Sequence, residues 1–505
     1  MKSRVNKLRT WFLTHSFAIL LVAAGATTAS AQHDGHQGHD LKPAEEKTDP
    51  ASKQKPAPSP RPAASPEEAE GREDDAVAPA EATPPQEEHK HPGPDDQTYT
   101  SGEGGSTRGL MSNRIGSGTS WQPVSTPSHM LHWRKGDWLL MLHAEAKIGV
   151  NSQGGPRGVT KFESQNWVMP MASRRVGRGV LEFRGMFSAE PVTFSGPGSP
   201  QLFQSGEVYQ GKPIVDAQHP HDMVMTLSAS YTLPVGEKGS WFAYFGFPGE
   251  PALGPTAFMH RASASENPSA PLAHHLQDST HISYGVFTTG FTYRWFKVEG
   301  SVFNGREPDE NRYDIETGAW NSRSVRISFA PNSNWAMQWS YGFLKDPEPL
   351  EAGDVRKMTA SVTYNRPLKR GNWATSFIWG RNRENHHNEP STLNGYTVES
   401  TLQFMDKNYV YTRAELVDKN GLLRAEDRQK LGIADSHPIF RIGAYTFGGA
   451  RDVWNTDKFK VALGGDVTFY SKPEILDSVY GNNPVSYKFF LRFRLGGGGH
   501  EGHAN

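Results

Sequence analysis

The string "DAQHPHDM" sets two imidazoles, His219 and His221, two residues apart between the carboxylates Asp216 and Asp222. In an extended backbone residues two apart point the same way. His219 and His221 could therefore chelate one borderline divalent metal, with Asp216 or Asp222 adding an oxygen. A structural role competes with this: imidazoles beside a proline can also hold a long loop by hydrogen bonds, and the string has no third nitrogen ligand. A second string, "APLAHHLQDSTH", offers His274, His275, Asp278 and His281. Adjacent histidines on a strand diverge, so this segment is the weaker site alone. The two segments would make a better site if the fold joined them.

Histidines also punctuate the ends of the chain. "HDGHQGHD" carries His33, His36 and His39, "HKHPGPDD" carries His89 and His91, and the terminal "HEGH" carries His500 and His503. Imidazoles spaced by one to three residues among Gly, Asp and Glu make loose, exchangeable ligands for Cu(II), Zn(II) or Ni(II). No tightly bound cofactor is expected. Methionines are few in these tracts and form no Met-x-x-Met ladder, which argues against Cu(I). Low-complexity drift in a solvated tail would produce similar strings. "DSTHISYG" places Ser279, His281 and Ser283 together, but no nucleophile elbow accompanies them, so no catalytic residue is assigned and an enzyme is not expected.

The elements that must position these residues follow from patterning. "MKSRVNKLRTWFLTHSFAILLVAAGATTASAQ" has a basic start, a short apolar stretch and an A-x-A-like end at Ala29-Ser30-Ala31, and reads as a secretory signal over 1–31. With no cysteine, a disulfide framework and thiolate metal sites are excluded. A net charge of −1 gives no reason to expect nucleic acid as a partner. From Gln32 to about Ser120 the composition is Pro, Ala, Glu, Lys and Gly with few aromatics, which predicts a disordered arm over 32–120.

Beyond Trp121 period-two alternation recurs. In "VSYKFFLRFRL", Tyr487, Phe489, Leu491, Phe493 and Leu495 share one parity and Lys488, Arg492 and Arg494 the other. About sixteen such strands are expected, starting near 138, 162, 179, 223, 240, 284, 296, 323, 335, 355, 373, 395, 409, 439, 459 and 486. Tight connections such as "PLKRGN" and "MDKN" alternate with long polar ones: Thr193 to His221, Pro255 to Ser283, Glu307 to Ser322, His386 to Leu393, Asp418 to Pro438 and Ile475 to Pro484. Short turns on one rim, long loops on the other and an even strand number predict an all-β, transmembrane, antiparallel up-and-down β-barrel over 121–495, with a Gly/His tail over 496–505. Its outer face would meet lipid. Its inner face, with Glu145, Lys147, Glu182, Arg184, Lys297, Glu299, Arg413, Glu415, Lys488, Arg492 and Arg494, would line a wet lumen. A soluble all-β sandwich would also alternate, but would not need aromatic outward faces on nearly every strand.

The strings "SGTSWQPVSTPSHMLHW", "GKPIVDAQHPHDMVM", "FGFPGEPALGPTAFMHRASASENPSAPLAHHLQDSTHISYGVFTTGF", "KVEGSVFNGREPDENRYDIETG" and "NRPLKRGNWATSFIWGRNREN" resemble a largely uncharacterised family of proteobacterial and acidobacterial outer-membrane barrel proteins. The likeness covers about Ser117 to Leu495. It implies an outer-membrane location in a Gram-negative cell and an association with heavy-metal, often copper, resistance. The chain lacks the Met-rich repeats of copper-resistance barrels, and it shows no plug domain ahead of the barrel and no energy-coupling box.

These readings converge on an outer-membrane barrel for transition-metal (Cu, Zn, Ni or Co) handling, with both termini in the periplasm. Its expected partners are lipid, divalent ions or small solutes, and periplasmic efflux components. A general diffusion porin with incidental histidines, and an outer-membrane hydrolase using His281 and Ser279, are the alternatives.

Overall fold

A computed structural model describes residues 114–350, 352–386 and 389–496. The segment read as signal, most of the one read as arm, and most of the Gly/His tail, with His33, His36, His39, His500 and His503, lie outside the described residues. β1 (Met130–Lys135) turns into β2 (Trp138–Ser152), and β3 (Thr160–Val176) and β4 (Gly179–Phe187) follow. β5 (Ser199–Tyr209) and β6 (Lys212–Gln218) form a separate two-stranded ribbon. The wall resumes with β7 (Val224–Val235), β8 (Gly239–Gly249), β9 (Ser283–Tyr293), β10 (Phe296–Asn304), β11 (Ser322–Phe329) and β12 (Trp335–Leu344). It continues through β13 (Val355–Leu368), β14 (Gly371–His386), β15 (Glu389–Phe404) and β16 (Asn408–Lys419). β17 (Phe440–Asn455), β18 (Phe459–Ser471) and β19 (Val485–Leu495) complete it.

Neighbouring wall strands pair antiparallel, and β19 returns to β2 with Arg494 opposite Glu145, so the sheet closes as a 16-strand barrel. Closure satisfies every wall strand's backbone without an edge, as a lipid surround requires. The seam is composite. β19 pairs with the second half of β2, Tyr487 opposite Ser152, and β1 pairs with the first half, Met130 opposite His143. The two strands occupy one place in the wall, end to end.

All sixteen strand positions read from the sequence fall in or next to a wall strand. The parity holds too: Phe489 is 66 % exposed on the outer face, whereas Arg492 is fully buried inside. Trp133, Trp241, Trp295, Trp373 and Trp454 are exposed close to short turns, where they form an aromatic girdle at one rim. One expected long loop is absent. His386 to Leu393 is largely strand, because β14 and β15 stay paired as far as His386 opposite Glu389 and so satisfy their backbone beyond the rim.

The lumen is the main departure. It was expected to be wet, yet three segments fill it. The β8–β9 connection, 250–282, crosses the barrel: the backbone N–H groups of Ala252 and Gly254 donate to Ser301 (2.7 Å) and Ser340 (2.9 Å) on one side. Toward the opposite wall Arg261 donates to Glu399 (2.7 Å), the backbone N–H of Ala273 donates to Glu415 (3.0 Å), and Glu266 is shared by Arg492 and Arg494. Where this loop passes β14, a Cβ on Gly380 would lie 2.1 Å from the Leu276 carbonyl oxygen, so the wall is bare there to admit it. The β5–β6 ribbon packs beside it, Gln201 donating to the Ala270 carbonyl (2.9 Å) and Lys419 to Gln204 (2.7 Å).

The third segment is 114–126, whose first residues belong to the stretch read as disordered arm. It enters beside Arg294, which accepts from Arg114 at 2.8 Å, and Ser117 accepts from the Ala257 backbone at 2.8 Å. It returns past Ser125, whose N–H donates to the Ser333 carbonyl (2.9 Å). Its Gly and Ser residues allow this: a Cβ on Gly116 would lie 2.4 Å from the Thr256 methyl carbon. Two internal cavities enclose about 50 and 20 Å³, room for a water or two. The lumen charges meet one another and the plug rather than solvent.

Two outcomes follow from this packing. Glu266→Ala leaves Arg492 and Arg494 short of a buried partner and should lower urea stability in detergent by about 3 kcal/mol, whereas Glu237→Ala, exposed at a short turn, should leave it within about 0.5 kcal/mol. Burial pushes the Glu250 carboxyl up to about 7, against the opposing Arg326 guanidinium. A raised carboxyl favours the fold fully below its unfolded value near 4.5, and that contribution is lost as pH rises to about 7. Glu250→Gln should therefore raise the unfolding free energy in urea at pH 8, by on the order of 2 kcal/mol, and leave it unchanged at pH 4.5.

Candidate functional site: an imidazole ring inside the barrel

The β8–β9 connection is rich in Pro, Gly, Ala and Ser and is built from single helical turns: Phe258–His260, His274–Gln277 and Ser279–His281. The expectation that His274 and His275 sit on an extended chain is corrected here. They occupy one helical turn, started after Pro271, whose carbonyl accepts from the His274 N–H at 3.0 Å. They still diverge, but both rings reach the same cluster. His275 lies over the backbone of Gly206, where a Cβ would stand 2.6 Å from the imidazole. Only glycine leaves room for it.

The two strings come together in the lumen. Ring centroids of His219 and His275 are 5.6 Å apart, His275 and His274 5.3 Å, His274 and His281 5.2 Å, His281 and His221 5.3 Å, and His221 and His219 6.4 Å. Five imidazoles thus form a closed ring. Phe258 covers one side, 5.4 Å from His274 and 6.2 Å from His221.

Hydrogen bonds set which nitrogen of each ring is engaged. His221 Nδ1 meets Glu190 at 2.8 Å, His274 Nδ1 meets Asp278 at 2.7 Å, and His281 Nδ1 meets the Asp278 carbonyl at 2.8 Å. An anionic or carbonyl acceptor holds the proton on Nδ1 and leaves Nε2 its lone pair, the arrangement of metal-bound histidines. The Nε2 atoms of His221 and His281 are buried with no hydrogen-bond partner, as are both ring nitrogens of His275. His219 is turned the other way, its Nε2 bonded to Glu207 at 2.9 Å.

Charge around the ring is uneven. Burial holds His274 down at about 4 and His281 well below the usual imidazole range, so both are neutral at pH 7. For His221 burial acts the same way, but the carboxylates of Glu190, Asp222 and Glu207 outweigh it and raise the group. Arg261 and His274 hold the Asp278 carboxyl below its ordinary range against burial.

Neither expected oxygen donor turns to the ring. Asp222 accepts from the Tyr284 hydroxyl and from Arg312 at 3.2 Å, and Asp216 accepts from Arg157 (3.0 Å) and the Phe203 N–H (2.9 Å). Among the described residues no three His, Asp or Glu side chains already stand in coordinating geometry, so a metal would require the rings to turn inward. Ser279 and His281 are not bonded to each other: Ser279 Oγ accepts from Lys357 at 2.7 Å while His281 Nδ1 faces the Asp278 carbonyl. Sequence reasoning missed Glu190 and Glu207, which orient the rings, because nothing in their local strings marks them.

No protein-family model matches the chain, and no curated protein does. Among solved structures it is similar to the anion-selective porin of Comamonas acidovorans, at 9% identity over 70% of this chain and 99% of that one, TM-score 0.44. It is similar also to the outer-membrane channel DcaP of Acinetobacter baumannii (9% identity, 72% and 98%, TM-score 0.42) and to outer-membrane expressed OmpT of Vibrio cholerae (9%, 72% and 100%, TM-score 0.42). These identities are low, and the architecture of this chain, a closed 16-strand antiparallel β-barrel, rests on its own strand pairing.

Proposed function

We propose that this protein is an outer-membrane barrel for handling divalent transition metals, with the imidazole ring of the lumen as its internal site and the His-rich arm and tail as outlying ligands. The ring carries the reading: two distant strings place five imidazoles together, and four buried ring nitrogens make no hydrogen bond. A buried polar atom without a partner costs on the order of 1–3 kcal/mol, so a cluster of them points to a ligand. Cu(II), Zn(II), Ni(II) and Co(II) suit neutral imidazole. Glu190 and Asp278 would orient the donors and balance their charge. Resemblance to outer-membrane barrels associated with heavy-metal resistance agrees with this reading.

The packed lumen argues against free diffusion as the resting state. Passage would need the 250–282 segment to shift, and ion binding between it and the 219–221 strand end is placed to affect that. A carboxylate-held imidazole that must shed a proton to bind also makes affinity fall at acid pH.

Titration of the full chain in detergent with Zn(II) and Ni(II) tests this. His221→Ala with His281→Ala should weaken the tightest site at least about tenfold, while removal of His500 and His503 should leave that site intact. Equal affinity in wild type and double variant would eliminate the ring as a metal site. In planar bilayers the wild type should show little conductance, and Arg261→Ala, which frees the plug from Glu399, should show more.

A further inference from the structure

We propose that the inward faces of β2 and β3 form a second ion site, a thioether–imidazole patch of Met141, His143, Met169 and Met171 that takes a soft monovalent cation, Cu(I) or Ag(I). Two spacings create it. "MLH" puts Met141 and His143 two apart on β2, and "MPM" puts Met169 and Met171 two apart on β3. Pairing then sets Met141 opposite Met171 and His143 opposite Met169. Directly opposed residues on one face of an antiparallel pair have Cβ atoms about 5 Å apart. Three thioethers and one imidazole therefore share a single patch of wall.

The patch is unlike its surroundings. The next inward position on β2, Glu145, is already engaged by Lys147 and Arg494, so the patch has no carboxylate to spare. Neutral, polarizable sulfur and nitrogen donors suit a soft ion of single charge better than a hard or divalent one. The plug supplies a lid. Met259 packs against the same methionine cluster, and the His260 ring stands 4.9 Å from Trp167 and 6.1 Å from His143. Among the described residues neither the His143 ring nor the His260 ring makes a hydrogen bond, although the His260 backbone N–H donates to the Ala257 carbonyl at 2.9 Å. The indole of Trp167, 4.5 Å from His143, offers a π face for cation contact. The cavity of about 50 Å³ is lined by Trp167 and Met259, which neighbour the patch, and by His221 of the imidazole ring.

Methionines also serve as plain filler in irregular cores. The experiment separates the two roles. Full-length protein in detergent is titrated with Ag(I) in chloride-free buffer, with Zn(II) in parallel, and compared with Met169→Leu/Met171→Leu, which conserves volume. The expected result is an Ag(I) affinity about tenfold or more lower in the leucine variant with Zn(II) affinity unchanged. His221→Ala/His281→Ala should behave oppositely, so this site and the imidazole ring can fail independently. X-ray absorption of the Ag(I) or Cu(I) complex should show sulfur neighbours that the leucine variant loses. Equal Ag(I) affinity in both proteins overturns the proposal. If the variant does not fold, a wild-type complex without sulfur neighbours overturns it instead.

Discussion

A charged side chain that faces the inside of this barrel must find its partner within the protein, because two faces of the wall compete for one chain and only the outer one is given to lipid. That constraint explains the plug. Arg492 touches Glu266 and Asp452, Arg326 touches Glu299 and the Gly254 carbonyl, and Arg261 bridges Asp278 and Glu399. Half of these partners come from the wall and half from the segment crossing it. Taking ions out of water is expensive unless their geometry and hydrogen bonds are nearly complete. Removing the plug would therefore strand charges, and water would have to enter to solvate them.

The imidazole ring gains its character from the same packing. Burial keeps His274 and His281 neutral, and the acceptors behind Nδ1 of His221, His274 and His281 engage that nitrogen and leave Nε2 its lone pair. In water these histidines would be ordinary weak ligands. Held among Phe258, Glu190 and Asp278, they are pre-oriented yet incompletely satisfied, and their remaining valences bridge two pieces of chain that the wall keeps apart.

Much of the wall was legible because period two is a local property: Trp138 to Ile148, or Tyr487 to Leu495, announces a strand without reference to anything distant. The composite seam was not, since β1 is short and its partner is defined only once β19 has stopped pairing at Glu145. The ribbon at 199–218 and the inward course of 250–282 were invisible for a related reason. Their polar, Pro- and Gly-rich strings look the same whether water or a charged wall surrounds them. The histidine strings were recognised singly, and their meeting depended on loop direction, which composition does not encode. The methionine patch was overlooked because two-residue spacings on separate strands become one feature only through register.

The path of 114–126 constrains how the molecule can be assembled. This stretch lies inside the cylinder, against Thr256 and Ala257, and yet leads into β1, which shares one strand position with β19 at the seam. Only residues 127–129 separate the two, so closing the seam and seating this stretch are coupled through one short connection. At its start the Arg114 side chain donates to the Arg294 carbonyl, which fixes this end of the stretch on the side of the tight turns.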